Sequence, residues 1–171
     1  MPELSADGES LMERVNRILL HPWYCYILQE IDEWERDRKF CGHGRAHLLD
    51  TARLAYLLDL EEDKGIPKEL VYAAALLHDI GRAEQYKKGT PHEEAGIGIA
   101  LEILRECGFD EEECEVIRYA IASHRSRKLA AREPLADLIY RADKKSRSCF
   151  FCPVEPECGW KAEKKNRTLT D

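Results

Sequence analysis

The 171-residue chain has no long apolar run. Stretches such as Val71 to Leu77 fall far short of the ~20 residues that a membrane-spanning helix needs. A secretory start is also missing. The chain opens Met-Pro-Glu-Leu-Ser-Ala-Asp-Gly-Glu, with no basic residues followed by an apolar core, so a cytoplasmic location is expected. Positive charge is not in excess either. The formal net charge of −7 argues against a role in coating long DNA or RNA, which needs a basic footprint. No strand-like alternation and no internal repeat is visible. The seven cysteines are an odd number in a chain without an export signal. They do not read as a disulfide framework; metal binding, or burial as small hydrophobes, explains them better.

What is there is a globular balance, 35% charged and 44% apolar, and a helical period nearly throughout. Leu11, Val15, Ile18 and Leu19 form one stripe, ended by His21-Pro22. A second helix is expected from about Tyr24 to Asp37, with Ile27, Ile31 and Trp34 inward. Cys41-Gly42-His43-Gly44 breaks the pattern, and a third helix follows from about Ala46 to Leu60 on Leu48, Ala52, Ala55 and Leu58. After Lys64-Gly65-Ile66-Pro67, a fourth helix runs from Lys68 to about Asp79 and is apolar almost all round, which marks it as central. Thr90 and Glu93 fit a capping box that opens a fifth helix, with Pro91 at its first position and His92 in its first turn; Gly96 and Ala100 allow close packing. Asp110 and Glu113 fit another box, on a helix running to about His124. Pro134 starts the last core helix, with Leu135, Leu138, Ile139 and Ala142 inward and Asp143 near its end. The expected architecture is all-α, a bundle of six or more helices over residues 1–148. A short cysteine-rich appendage and charged tail, 149–171, is expected to pack on the same domain.

Chemistry concentrates at helix ends. His78-Asp79 closes the most buried helix, where two ionisable groups without partners would be costly. Aiming both at one point requires the backbone to turn, and Ile80-Gly81 supplies a turn there. His43, His47, His92 and His124 also lie at or near helix ends, whereas His21 reads as an ordinary packed or exposed residue. His43 reads as surface, or as a support for His47. Imidazole and carboxylate together suit zinc, manganese, iron or cobalt.

The order His47, then His78-Asp79, then Asp143 resembles the motif order of the HD-domain metal-dependent phosphohydrolases. The local contexts agree: His47-Leu-Leu-Asp-Thr-Ala-Arg-Leu-Ala, Ala75-Leu-Leu-His-Asp-Ile-Gly-Arg82 and Ala142-Asp143-Lys144. The resemblance covers about residues 40 to 148. Two further segments, His92-Glu-Glu-Ala-Gly96 and Ile121-Ala-Ser-His124-Arg125, resemble the binuclear branch of that family. The resemblance implies an HD-domain-like helical fold and one or two divalent transition metals. It also implies six ligands, His47, His78, Asp79, His92, His124 and Asp143, with Asp79 the catalytic residue bridging two ions. A divalent metal lowers the pKa of bound water, two metals can share one hydroxide as nucleophile, and both offset charge on a phosphoryl oxygen. Arg82, where the family often has lysine, Lys144 and Arg125 are the candidate phosphate clamps, against the alternative of solvated surface charge.

Cys149, Cys152 and Cys158 form a compact thiol run, and Cys41 is a candidate fourth ligand. The flanks of His47 and Asp143 would bring them together around structural zinc or an iron–sulfur cluster; free loop cysteines are the alternative. Cys25, Cys107 and Cys114 read as core or surface thiols. The functional expectation is hydrolysis of a phosphate ester, on a nucleotide or other small phosphorylated molecule, without long nucleic acid or membrane as partner. A di-iron oxygenase on the same fold and a non-catalytic nucleotide-sensing module are the alternatives. The oligomeric state is open between monomer and homodimer.

Overall fold

A computed structural model describes residues 12–169. Among these residues there are helices and no strands: α1 (Glu13–Leu20), α2 (Pro22–Trp34), α3 (Arg45–Glu61), α4 (Lys68–Leu77), α5 (Arg82–Lys88), α6 (His92–Glu106), α7 (Glu111–Ser123), α8 (Arg127–Ala130) and α9 (Pro134–Lys145). Three 3₁₀ turns follow, Cys149–Phe151, Glu155–Glu157 and Ala162–Lys164. Leu11 lies outside the described residues.

The all-round apolar helix is the centre, as its sequence requires. Leu70, Val71 and the run from Ala73 to Leu77 are buried, and α4 packs against α1, α3, α6, α7 and α9. A helix with no polar face is stable only where neighbours cover every side. Around it, α3 buries Leu48, Ala52, Ala55 and Leu58, and α9 buries Leu135, Leu138, Ile139 and Ala142, all on the stripes the spacing predicts.

Local signals hold at some helix ends and fail at others. The Asp110–Glu113 capping box is complete, with both reciprocal bonds present. The Thr90–Glu93 box does not form: α6 starts at His92, its cap is Pro91, and no side chain caps it. Thr90 thus lies one residue outside the cap and Glu93 is the second helical residue, one short of the box position; Glu93 faces Arg125 at 3.2 Å. Helix α2 stops at Trp34, and the Trp34 side chain is 55% exposed rather than inward. Helix α4 ends two residues before Asp79, so His78 and Asp79 lie in the short turn that joins it to α5.

Candidate metal centre

Six side chains from five helical regions converge on one buried point. His47 comes from the first turn of α3, His78 and Asp79 from the turn after α4, and His92 from the first residue of α6. His124 caps α7, and Asp143 lies near the end of α9. All six are buried. The Asp79 carboxylate sits between two groups of imidazoles. Its Oδ2 is 3.1 Å from His78 Nε2 and 3.5 Å from His47 Nε2. Its Oδ1 is 3.1 Å from His92 Nε2 and 3.7 Å from His124 Nε2. Asp143 Oδ1 lies 3.3 Å from His47 Nε2 and 3.8 Å from His78 Nε2. Two clusters therefore share Asp79: His47-His78-Asp79, with Asp143 beside it, and Asp79-His92-His124.

The glycine at position 81 makes this possible, though not through turn geometry. Its backbone is ordinary right-handed helical, φ −75°, which any residue adopts. Space is what it supplies. A Cβ there would lie 2.1 Å from the His92 carbonyl oxygen and 2.5 Å from the Gly96 nitrogen. The start of α6 thus rests directly on Gly81, two residues from Asp79, and brings His92 onto the carboxylate.

Each imidazole is oriented from behind. His78 Nδ1 donates to the Ala75 carbonyl at 2.6 Å, and His124 Nδ1 to the Ile121 carbonyl at 2.6 Å. His92 Nδ1 lies 2.9 Å from Gln85 Oε1, an acceptor only. Ser146 Oγ donates to the Asp143 carbonyl and so accepts from His47 Nδ1 at 3.1 Å. With all four Nδ1 hydrogens committed outward, it is the four Nε2 atoms that face the carboxylates. This is the arrangement that metal-ligating histidines take, the rear hydrogen bond fixing the tautomer.

The donor set fits a cation. His78 Nε2 is buried and makes no hydrogen bond. Burial works against charge on His78, but the negative charge of Asp79, with that of Asp143 beyond it, outweighs burial and pulls its pKa up to about 10. Burial likewise opposes ionisation of Asp79 and Asp143, yet the surrounding histidines, with Lys144 beside Asp143, hold both carboxyls well below the usual range. The pocket is built for positive charge at the Nε2 positions, whether proton or metal ion.

Cationic side chains surround this centre. Arg82 Nε reaches Asp79 Oδ1 at 3.1 Å, and Lys144 pairs with Asp143. Arg125 is more exposed and pairs with Glu93. All three candidate phosphate clamps line one cavity of about 420 Å³ that opens onto the site. Arg147, three residues beyond Lys144, is buried and lines the same cavity. Its Nη1 donates to the Gly42 carbonyl at 2.6 Å and its Nη2 lies 3.1 Å from His47 Nε2. Ser146 and Arg147 follow Asp143 at helical i+3 and i+4 spacing, a signal that would have placed them on its face.

His43 is buried, not surface. Its Nδ1 lies 2.5 Å from Glu35 Oε1, which also accepts from Tyr86, and its ring stands edge-on to His47 at 5.9 Å. Nothing in the sequence around Glu35 or Tyr86 marks this support.

The cysteines come together less well. Among the described residues, the only groups of three or more His, Cys, Asp or Glu ligand atoms lying within 4.8 Å of one another are the two His/Asp clusters. Cys41 is exposed, and Cys149, Cys152 and Cys158 are half-buried, all as free thiols. No three of these four sulfurs form such a group. The chain between them is held by polar clamps instead, described below. Cys107 and Cys114 are buried, and Cys25 is exposed.

Comparison with known proteins agrees with this geometry. A protein of Clostridium beijerinckii without a described activity is 48% identical over 155 residues, covering 91% of this chain and 97% of its own length. The bifunctional uridylyltransferase/uridylyl-removing enzyme of Acinetobacter baylyi is 35% identical over 66 residues, which is 39% of this chain and 7% of that enzyme. The crystal structure of a predicted HD superfamily hydrolase from an uncultured Thermotogales bacterium shares the fold. Its TM-score is 0.59 at 22% identity, over 89% of this chain and 87% of that one. The HD domain family matches residues 44–148, from just before His47 to just beyond Arg147, and so takes in all six converging side chains. The chain belongs to the HD domain family.

Proposed function

We propose that this protein is a metal-dependent hydrolase of phosphate esters, acting on a nucleotide or another small phosphorylated molecule. The observation that carries the reading is the convergence of four Nε2 atoms on Asp79 and Asp143, split into two clusters that share Asp79. His47, His78, Asp79 and Asp143 would hold one divalent cation, and Asp79, His92 and His124 a second. Bound there, such ions lower the pKa of water and offset charge on a phosphoryl oxygen.

The remaining work falls to the chain itself. Ser146, Gln85 and the carbonyls of Ala75 and Ile121 hold the imidazoles in one tautomer. Arg82 and Lys144 stand against the carboxylates and face the cavity, where they meet the negative charge of a phosphoryl group. Arg125 lies at the rim. This cationic lining favours hydrolysis of an anionic ester over oxygen chemistry on an uncharged substrate at the same six ligands. The partial likeness to enzymes that by name remove uridylyl groups points the same way. Incubation with a panel of nucleotides and phosphomonoesters, with manganese, cobalt or iron added, tests the proposal. Phosphate or nucleotide release supports it. A coloured iron protein that consumes oxygen and releases no phosphate contradicts it.

A further inference from the structure

The cavity over the metal centre has two unlike walls. One comes from the helices that carry the ligands. The other comes from the segment after α9, through Gly159, Trp160, Lys161 and Lys164. Seven of the thirteen residues lining the cavity are lysine or arginine, and one, Asp143, is acidic. In a chain with a net charge of −7, this is a local reversal of sign.

The positive charge is neutralised unevenly. Arg82 and Lys144 pair with Asp79 and Asp143, and Arg125 with Glu93. Lys161 and Lys164 form no ion pair among the described residues, and both are exposed. Excess positive charge therefore sits on the wall away from the metal ligands. Nearby, the Arg38 side chain donates to the Cys41 carbonyl at 2.8 Å and forms no ion pair among the described residues.

This wall is held in place. Asn166 donates from Nδ2 to the carbonyls of Lys144, at 2.6 Å, and Arg147, at 2.8 Å, so it ties the segment to the end of α9. Its own carbonyl accepts from the Phe150 backbone at 2.9 Å. Glu155 receives Lys165 at 2.9 Å and Arg167 at 2.8 Å, which closes the loop on either side of the two lysines. Glu157 pairs with Lys39, ahead of α3. Lys161 and Lys164 bracket a 3₁₀ turn inside these clamps. Trp160, half-buried, precedes them in the same wall.

We infer that the segment after α9 selects the substrate: Lys161 and Lys164 bind a second anionic group, with the Trp160 ring beside them, while the group to be cleaved lies at the metal end. This rests on the hydrolase reading above and narrows it. The favoured substrate carries at least two anionic groups, as a nucleoside diphosphate or bisphosphate does, rather than one. A cavity of about 420 Å³ suits a molecule of that size.

Binding of tripolyphosphate and of inorganic phosphate to manganese-loaded protein, measured by calorimetry, tests this without turnover. The Lys161→Ala/Lys164→Ala variant is expected to bind tripolyphosphate about tenfold more weakly, the contribution of two partly solvated ion pairs, with inorganic phosphate changed less than about twofold. Lys68→Ala/Lys128→Ala removes the same charge from outside the cavity and should change neither. An equal loss for both anions, no loss, or the same loss in the control pair overturns the inference. The two readings fail separately. Selective loss of tripolyphosphate with no hydrolysis of any substrate sinks the hydrolase and leaves the wall. Hydrolysis whose preference for diphosphates over monophosphates is untouched by the variant sinks the wall and leaves the hydrolase.

Discussion

His92 Nε2 and His124 Nε2 lie 3.0 Å apart, and each ring has its Nδ1 engaged elsewhere. Two lone pairs cannot face each other at that distance without a proton or a cation between them. Replacing His92 removes one side of the pair and leaves the His47-His78-Asp79 group untouched. His92→Ala should therefore bind one metal equivalent where the wild type binds two, as read by elemental analysis of metal-loaded protein. Unchanged stoichiometry would show that His92 does not hold a second ion.

Ion binding should expel a proton from His78. In the metal-free chain its pKa is drawn up to about 10, so it carries a proton at neutral pH, and a ligand nitrogen must give that proton up. Manganese titrations at pH 7 in buffers of different ionisation enthalpy should give apparent enthalpies that differ in proportion. A buffer-independent enthalpy would show that no proton leaves.

Gly81→Ala tests the contact that seats α6. The new methyl meets the backbone of His92 and Gly96, and backbone cannot swing aside as a flexible side chain does. Overpacking of this kind costs about 1–3 kcal/mol. The variant should unfold at a lower denaturant midpoint and lose the Asp79-His92-His124 ion before the other. Wild-type stability with full metal content would refute the close-approach account.

Acid sensitivity should trace to Glu35. Burial opposes its ionisation, yet hydrogen bonds from His43 and Tyr86 win and lower its pKa from 4.5 to about 2. A carboxyl depressed on folding contributes stability that is present above its unfolded pKa and is lost as pH falls toward the folded one. Glu35→Gln should thus be less stable than wild type at pH 7, by about 1–3 kcal/mol, the worth of hydrogen bonds to a charged group. The gap should narrow between pH 4.5 and 2. Chemical denaturation of both proteins across that range measures it, and a gap independent of pH would contradict it.

The helical bundle and its centre were legible because their signals are local and redundant. The run from Val71 to Leu77 has no polar face, so its position follows from its own residues. The order His47, His78-Asp79, His92, His124, Asp143 can be read along the chain, and the fold brings all six together. What stayed hidden depends on contacts distant in sequence. Glu35 meets His43 across a loop and Tyr86 across 51 positions, and Lys161 meets the site on a segment that Asn166 ties to α9 and Glu155 and Glu157 clamp elsewhere. The turn at Ile80-Gly81 was legible and is present, but the φ of Gly81 is ordinary, and the close approach of α6 that leaves no room for a Cβ there is invisible in one sequence. The Thr90–Glu93 box failed because α6 starts one residue later than expected: Pro91, which has no side-chain acceptor, is the cap, and Thr90 lies outside it.

Asp79 is the residue on which the proposed two-ion hydrolytic centre depends. Phosphate release from a nucleotide panel, with zero, one and two equivalents of manganese, cobalt or iron added to metal-free protein, tests it most directly. Release should rise with the second equivalent and be absent in Asp79→Ala, which removes a ligand from both proposed ions. No release on any substrate with any metal, or full release by Asp79→Ala, would contradict it.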